Sequence, residues 1–306
     1  MTILAFTWDP PLGIPIGDFF TLRFYSLMYL LAFFCAFYIM KYIFTREKVS
    51  FDLLDPLLMY SLIGMFVGMR LGEVFFYSWD YYQNHLLEII LPIRENPDTF
   101  LINLFGQHWI QGWEFTGFSG LASHGATIGF FIAFALFWKK FLKPLGKKFF
   151  WLYDRIVIPV ALGGAFVRTG NFFNSEMVGF PTSENLPWAT KFVNMFVPHS
   201  QMNNPIYNPE LYRHPAQMYE ATGYILIFIL LAFLFFKTSV KKYSGFLFGL
   251  FFILLWSVRF FVEFFKLAQV ESRADWALNT GQLLSIPFIL IGIIVLITSF
   301  KRLQNS

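Results

Sequence analysis

Apolar residues run through this 306-residue chain in long blocks, with polar and turn-forming residues gathered between them. Seven blocks of about 20 residues match the ~30 Å hydrocarbon layer of a bilayer. They run from Leu22 to Phe44, Leu57 to Tyr77, Leu121 to Trp138, Phe149 to Val167, Ala216 to Phe236, Gly245 to Phe265, and Leu283 to Phe300. The third and fourth carry polar residues at one end, Ser123-His124 and Asp154-Arg155, which blurs their boundaries. Lipid offers no partner to an exposed backbone N–H or C=O, so each block is predicted to be a helix. The pattern predicts an all-α, polytopic integral membrane protein with seven transmembrane helices.

Composition agrees: hydrophobic residues make up 57% of the chain and charged residues only 14%, against ~25% charged in soluble domains. Lysine and arginine crowd alternate connections. Lys41, Arg46 and Lys48 lie in the first, Lys139, Lys140, Lys143, Lys147 and Lys148 in the third, Lys237, Lys241 and Lys242 in the fifth, and Lys301 and Arg302 in the tail. The opposite side holds Arg94, Lys191, Arg213, Lys266 and Arg273, spread over much longer segments. Cytoplasmic loops carry the basic excess, so the N-terminus is predicted outside and the C-terminus inside. The first twenty residues lack a basic leader, and Asp9-Pro10-Pro11 breaks any apolar core, so the first span is expected to be retained. The net charge of +4 then reflects topology rather than a nucleic-acid surface. A lone Cys35 in mid-span excludes an internal disulfide and argues against a thiol or metal cluster.

The two longest connections, 78–120 and 169–215, lie on the predicted outer side. Connections of that length inside a compact protein are usually functional or disordered. With Trp79, Tyr81, Tyr82, Trp109, Trp113 and Trp188 they suit an interfacial cap and arms. Neither an inverted repeat nor a matched pair of broken helices is found, so residues 1–306 are read as one membrane domain.

Against this apolar background, Arg168-Thr169-Gly170-Asn171-Phe172-Phe173-Asn174-Ser175-Glu176 concentrates a guanidinium, two amides and a carboxylate at the end of a span. A charge at bilayer depth costs roughly 2.5–3.5 kcal/mol on insertion scales, so it faces a partner, a wet cavity or an anionic ligand. Four further clusters fall toward the same side. Ser123-His124-Gly125 is either a hydrogen-bonded structural histidine or a proton acceptor. Arg259 and Glu263, at i,i+4, either neutralise one another or present a guanidinium to phosphate, whereas Arg70 and Glu73 read better as structural. Arg213-His214-Pro215-Ala216-Gln217-Met218-Tyr219-Glu220 combines a helix start with a histidine of capping or chemical use, and Tyr25 is an interface anchor or a headgroup ligand.

Taken together these clusters resemble the prolipoprotein diacylglyceryl transferase family over most of the chain. The resemblance is carried by Arg23-Phe24-Tyr25-Ser26-Leu27-Met28-Tyr29, Ser123-His124-Gly125, the Arg168 to Glu176 signature with Gly179, His214 to Glu220, and Arg259 with Glu263. Four positions depart from the family pattern. Val167 and Ser175 stand where glycine is usual, Phe180 where an arginine is common, and Glu73 where an aromatic is often found.

The resemblance implies an enzyme of the bacterial inner membrane whose active site faces the periplasm. It would transfer an sn-1,2-diacylglyceryl group from phosphatidylglycerol to the lipobox cysteine of a prolipoprotein, forming a thioether and releasing glycerol phosphate. On that reading Arg168 and Arg259 clamp phosphate, Asn171 and Asn174 orient headgroup oxygens, Glu176 and Glu263 orient the arginines, and His124 is the base. Tyr25, Gly179 and His214 join the site in less defined roles. Both substrates arrive through lipid, and no cofactor, metal or nucleic acid is implied; HExxH, GxxxxGK[ST] and GxGxxG motifs do not occur. Two alternatives are weaker. Gly117-Phe118-Ser119-Gly120 matches the GxSG of rhomboid proteases, but a rhomboid would want its histidine inside a later span, whereas His214 lies at a span entrance followed by proline; an anion or lipid transporter would want pseudo-symmetric halves.

Two predictions arise at this level. Single cysteines at Asn96 and Asn194, in a Cys35→Ser background, should react with a membrane-impermeant maleimide on intact inner-membrane spheroplasts; labelling only after lysis reverses the orientation. His124→Asn should lower turnover more than phospholipid binding and recover partly as pH rises toward the thiol pKa of about 8.5, because asparagine accepts no proton. A stable variant with unchanged turnover at neutral pH removes the base assignment.

Overall fold

The computed structural model describes residues 5–17, 20–76, 78–104, 107–117, 123–195, 197, 202, 204–267 and 278–301. In chain order the elements are β1 (Phe6–Trp8), β2 (Gly13–Ile16), β3 (Phe20–Arg23), α1 (Phe24–Arg46), α2 (Leu54–Phe76), α3 (Trp79–Tyr82), α4 (Leu86–Ile90), β4 (Ile93–Leu104), β5 (Gln107–Phe115), α5 (Ser123–Phe137), α6 (Phe149–Phe173), β6 (Thr190–Phe192), β7 (Tyr212–Arg213), α7 (Ala216–Lys237), α8 (Phe246–Val262) and α9 (Thr280–Ser299). Seven helices are long and apolar enough to cross a membrane, those beginning at Phe24, Phe51, Gly125, Phe149, Ala216, Phe246 and Gly281. The all-α polytopic reading therefore holds.

Three details differ from expectation. The fourth span does not stop at Val167: α6 continues through the polar signature to Phe173, because Arg168 and Asn171 find partners for their side chains and the helical backbone satisfies itself. Strands occupy parts of the long connections, as a β4–β5 hairpin and as β6 and β7, which form a three-stranded sheet with β1 from the start of the chain. A β2–β3 hairpin also precedes the first span. β1, β2, β3, β6 and β7 are too short to carry the alternating run that identifies a strand in sequence.

The chain divides into two compact units, residues 50–149 and residues 1–49 with 150–306. Within the first, α2 and α5 meet along glycines at helical spacing. A Cβ on Gly68 would lie 2.3 Å from the Gly125 carbonyl oxygen, and one on Gly129 would lie 1.9 Å from that of Gly64. Only the missing side chains allow the backbones so close, the small-residue packing that lipid-embedded helices favour. Arg70 donates from Nε to the Ile89 carbonyl at 3.1 Å and from Nη2 to the Glu88 carbonyl, with its guanidinium 4.8 Å from the Tyr82 ring centre. Glu73 accepts from Ser78 Oγ at 3.0 Å. Both residues thus tie α2 to the short helices that follow, in keeping with a structural role.

The second unit contains α1, α6, α7, α8 and α9. Near the start of α6, Arg155 is fully buried and paired with Glu47 at 2.6 Å. The neighbouring Asp154 carboxylate accepts from the backbone N–H groups of Gly245 and Phe248 at 2.7 and 3.0 Å. A side chain from α6 thereby satisfies the open donors at the start of α8. At the other end of α6 a small core of Phe172, Val178, Phe192, Met195 and Leu267 gathers beneath the non-helical segments. There Trp8 Nε1 donates to the Phe172 carbonyl at 2.9 Å.

Candidate active site

The C-terminal end of α6 is built as a helix stop. The Ser175 N–H bonds to the Phe172 carbonyl at 3.1 Å and the Glu176 N–H to the Asn171 carbonyl at 2.9 Å, the paired bonds of a Schellman motif. Such a stop needs a left-handed residue, and Ser175 has φ +54°. Glycine adopts that conformation without strain, which is the physical reason for glycine being usual here; serine does so at roughly 1–2 kcal/mol. The buried Ser175 hydroxyl also has no hydrogen-bond partner among the described residues.

The reversal folds Glu176 back over the helix end, where Asn171 Nδ2 and Asn174 Nδ2 donate to its two carboxylate oxygens at 3.2 and 3.1 Å. A carboxylate at a helix C-terminus faces the negative pole of the dipole, and the two amides offset that. Glu176 therefore orients asparagines rather than an arginine, and the asparagines turn their carbonyl oxygens outward from the pair. Asn171 Oδ1 meets Arg168 Nη1 at a long 3.4 Å.

Arg168 is oriented instead by Glu220, on the first turns of α7. Its Nε lies 2.7 Å from Glu220 Oε2, although the N–H is not aligned on that oxygen and the contact is an ion pair rather than a hydrogen bond. The Tyr224 side chain lies within electrostatic reach of Arg168. Glu220 has no solvent exposure, and its second oxygen, Oε1, holds Lys266 Nζ at 2.9 Å. Lys266, itself 3% exposed, reaches Glu263 Oε1 at 3.3 Å as well.

Sequence spacing put Arg259 and Glu263 on one helix face. Here α8 ends at Val262 and the chain tightens into a 3₁₀ turn over Glu263–Phe265. The Glu263 N–H still makes the α-helical bond to the Arg259 carbonyl, but among the described residues the Glu263 carboxylate pairs with Lys266 rather than with Arg259, and a Cβ on Gly281 would lie 2.4 Å from its carboxyl carbon. Arg259 is left with its guanidinium 5.5 Å from the Trp256 ring centre. Its buried Nε has no hydrogen-bond partner among the described residues.

Gly179 acts through size. A Cβ there would lie 2.4 Å from the His214 carbonyl oxygen and 2.6 Å from that of Phe265, so only glycine lets these segments cross. The crossing is tied by Gly179 N–H to His214 O at 3.0 Å, Phe180 N–H to Phe265 O at 2.8 Å and Leu267 N–H to Val178 O at 3.3 Å. His214 Nδ1 lies 2.9 Å from the Tyr219 hydroxyl, which accepts from Trp188 Nε1 at 2.7 Å. Burial pushes the His214 pKa down from its ordinary value, which keeps that ring neutral. Arg213 is fully buried and serves the fold, donating to the carbonyls of Ile206, Asn208 and Gly179.

Tyr25 lies at the start of α1 with its ring against Gly170, where a Cβ would come within 2.9 Å, and its hydroxyl is 3.4 Å from that of Tyr29. It also feels the charges of Glu176 and Arg168. Of the residues predicted from sequence, Tyr25, Arg168, Asn171, Asn174, Glu176, Gly179, His214, Arg259 and Glu263 all lie in the unit of residues 1–49 and 150–306. His124 is in the first turn of α5 in the other unit, and its side chain lies outside the described residues. The structure adds Lys266 and Tyr224 to this cluster; the i,i+3 spacing of Glu263 and Lys266 is the one local sequence signal for the lysine.

Fold and site define a multi-pass membrane protein with an arginine-centred polar cluster at one end of its helices. A family model described as prolipoprotein diacylglyceryl transferase matches residues 11–298, and the chain belongs to that family. A phosphatidylglycerol–prolipoprotein diacylglyceryl transferase of Bacteroides fragilis is 34% identical over 291 residues, covering 95% of this chain and 94% of the relative. Proteins of the same name from Tolumonas auensis and Chloroherpeton thalassium are 35% and 34% identical, covering 95% and 93% of this chain and 96% and 90% of their own lengths. The resemblance drawn from the motifs is thereby borne out.

Ser175→Gly tests the helix stop. Relief of the left-handed strain should add about 1 kcal/mol and raise the thermal midpoint in detergent by a few degrees, with activity retained. An unchanged or lower midpoint refutes the account of that position.

Proposed function

We propose that this protein transfers the sn-1,2-diacylglyceryl group of phosphatidylglycerol to the lipobox cysteine thiol of a prolipoprotein signal segment, releasing glycerol phosphate. The observation that carries this reading is a buried charged network with open hydrogen-bonding capacity. Arg168 is paired with Glu220, Arg168 and Arg259 both act on Tyr224, and the buried Arg259 Nε and Gln217 Oε1 lack hydrogen-bond partners among the described residues. Buried polar atoms are nearly always satisfied, so these exceptions mark where a polar ligand completes the bonding.

In the transfer, the cysteine thiolate attacks the sn-3 glyceryl carbon and a C–S bond forms as the C–O bond to phosphate breaks. The electron pair and the new negative charge move onto the departing phosphate oxygen. Fixed cations aimed at that oxygen stabilise the transition state more than the ground state. Arg259, with an open Nε, and Arg168, held from behind by Glu220, fill this role. Asn171 and Asn174 commit their N–H groups to Glu176, so their carbonyl oxygens accept from the headgroup glycerol hydroxyls. His214 contributes a neutral imidazole, Tyr25 and Gly179 shape the entry, and Glu263 steadies Lys266. His124 keeps the role of thiol base on its motif alone. On this reading the chain lies in the bacterial inner membrane with the N-terminus outside, the segments 78–120 and 169–215 forming a periplasmic cap and arms, and the active site toward the periplasm. Residues 1–306 act as one membrane domain, and both substrates enter from the bilayer.

The test is incubation of the purified full chain with phosphatidylglycerol and a lipobox peptide, read as a mass gain of one diacylglyceryl unit on cysteine. Arg168→Lys and Arg259→Lys keep the charge but lose the planar fork, and each should lower kcat/KM by about 10²-fold or more, the scale of losing one oriented donor to a developing oxyanion. Near-normal turnover by both folded variants removes the phosphate clamp.

A further inference from the structure

Lys266 belongs to no motif that carries the resemblance, yet it lies inside the charged network. Its ammonium is buried, and the chain on either side is pinned by a bridge between Gly179 and Lys266 and by the Leu267 N–H on the Val178 carbonyl. Its Nζ occupies Glu220 Oε1 at 2.9 Å, while Arg168 Nε takes Oε2 at 2.7 Å. The two oxygens of one buried carboxylate are therefore divided between two cations.

That division has a consequence for the arginine. A carboxylate facing a guanidinium with nothing else on its oxygens closes into the bidentate fork, consuming two parallel N–H donors. With Oε1 already holding an ammonium, Glu220 meets Arg168 through Oε2 alone, and Arg168 keeps its outer donors. From this geometry we infer that Lys266 is a positioning residue: by occupying Oε1 of Glu220 it prevents bidentate closure on Arg168 and preserves that guanidinium for the phosphate of the lipid substrate. This rests on Arg168 as a phosphate clamp. Glu263, 3.3 Å from the same ammonium, holds Lys266 in place from the other side.

The inference separates Lys266 from a residue needed only for folding. Loss of its charge should appear as weakened use of phosphatidylglycerol and should be reversed by removing the charge on Glu220, since a neutral amide no longer draws in the arginine. The experiment measures KM for phosphatidylglycerol in mixed micelles and KM for the lipobox peptide, with kcat, for K266M, K266R, E220Q, K266M/E220Q and R168K in the full-length protein. K266M should raise the phosphatidylglycerol KM about tenfold or more and leave the peptide KM within about twofold, a split that reports lost lipid binding. K266R, which keeps a cation on Oε1, should stay close to the native value, and K266M/E220Q should return to the value of E220Q alone. A native phosphatidylglycerol KM in K266M, or a defect in K266M that E220Q does not relieve, overturns the inference. Should K266M fail to accumulate, the comparison of K266M/E220Q with E220Q decides: equality within about threefold supports the blocking role, and a larger gap overturns it. R168K separates the two levels. A normal R168K discards the clamp and the Lys266 role with it, whereas a defective R168K beside a normal K266M discards the Lys266 role alone.

Discussion

The site is organised around a carboxylate that water does not reach. Glu220 is fully buried with a cation on each oxygen, and an arrangement of this kind is weak as a source of net stability but severe in its demands. Removing one partner of a buried ion pair leaves an uncompensated charge and costs about 3–5 kcal/mol. The segments that supply those partners, the end of α6 with Arg168 and the turn after α8 with Lys266, are thereby confined relative to the start of α7. The electrostatics specify placement more than they add stability.

Backbone geometry does the complementary work. Three segments cross at Gly179 with less room than one methyl group requires, and Ser175 holds a left-handed conformation to turn Glu176 back over the helix end. Strain of this type persists only where the surroundings over-determine it, and it concentrates at functional sites. Here the surroundings are the Schellman bonds, the two asparagine amides on Glu176, and Gln217 Nε2 donating to the Glu176 carbonyl at 2.5 Å. A turn with that many restraints sets the direction of Asn171 and Asn174 before any substrate arrives.

Much of this was legible in the chain because membrane insertion writes a coarse and strong signal. Seven apolar blocks became seven helices, and polar residues that are costly in lipid marked the signature at Arg168 and the pair at Arg259 and Glu263. What the sequence concealed depended on the choice of partner and on contacts far apart in the chain. The i,i+4 relation of Arg259 and Glu263 is kept, with the Glu263 N–H on the Arg259 carbonyl, but spacing alone did not show that the carboxylate would pair with Lys266. Glu220 and Lys266 are separated by 46 residues, and no local pattern pairs them. The end of α6 was placed too early because polarity was taken as the end of helix, whereas a helix continues wherever its side chains find partners.

α6 carries polar residues toward both ends, and the contrast between them explains why one end is chemical and the other is not. Arg155 and Arg168 are thirteen residues apart, roughly 20 Å along a helix. Around Arg155 the described donors and acceptors close on one another: the guanidinium on Glu47 and the Trp151 carbonyl, and the neighbouring Asp154 on the start of α8. Around Arg168 the Glu220 carboxylate is paired on both oxygens, but hydrogen-bonding capacity remains on Arg259 Nε and Gln217 Oε1 among the described residues. Burial makes an open donor costly in the empty site, and the same low dielectric strengthens its bond to an anion once one binds. Unmet bonding capacity, rather than the mere presence of charge, distinguishes the reactive end of this helix from the structural one.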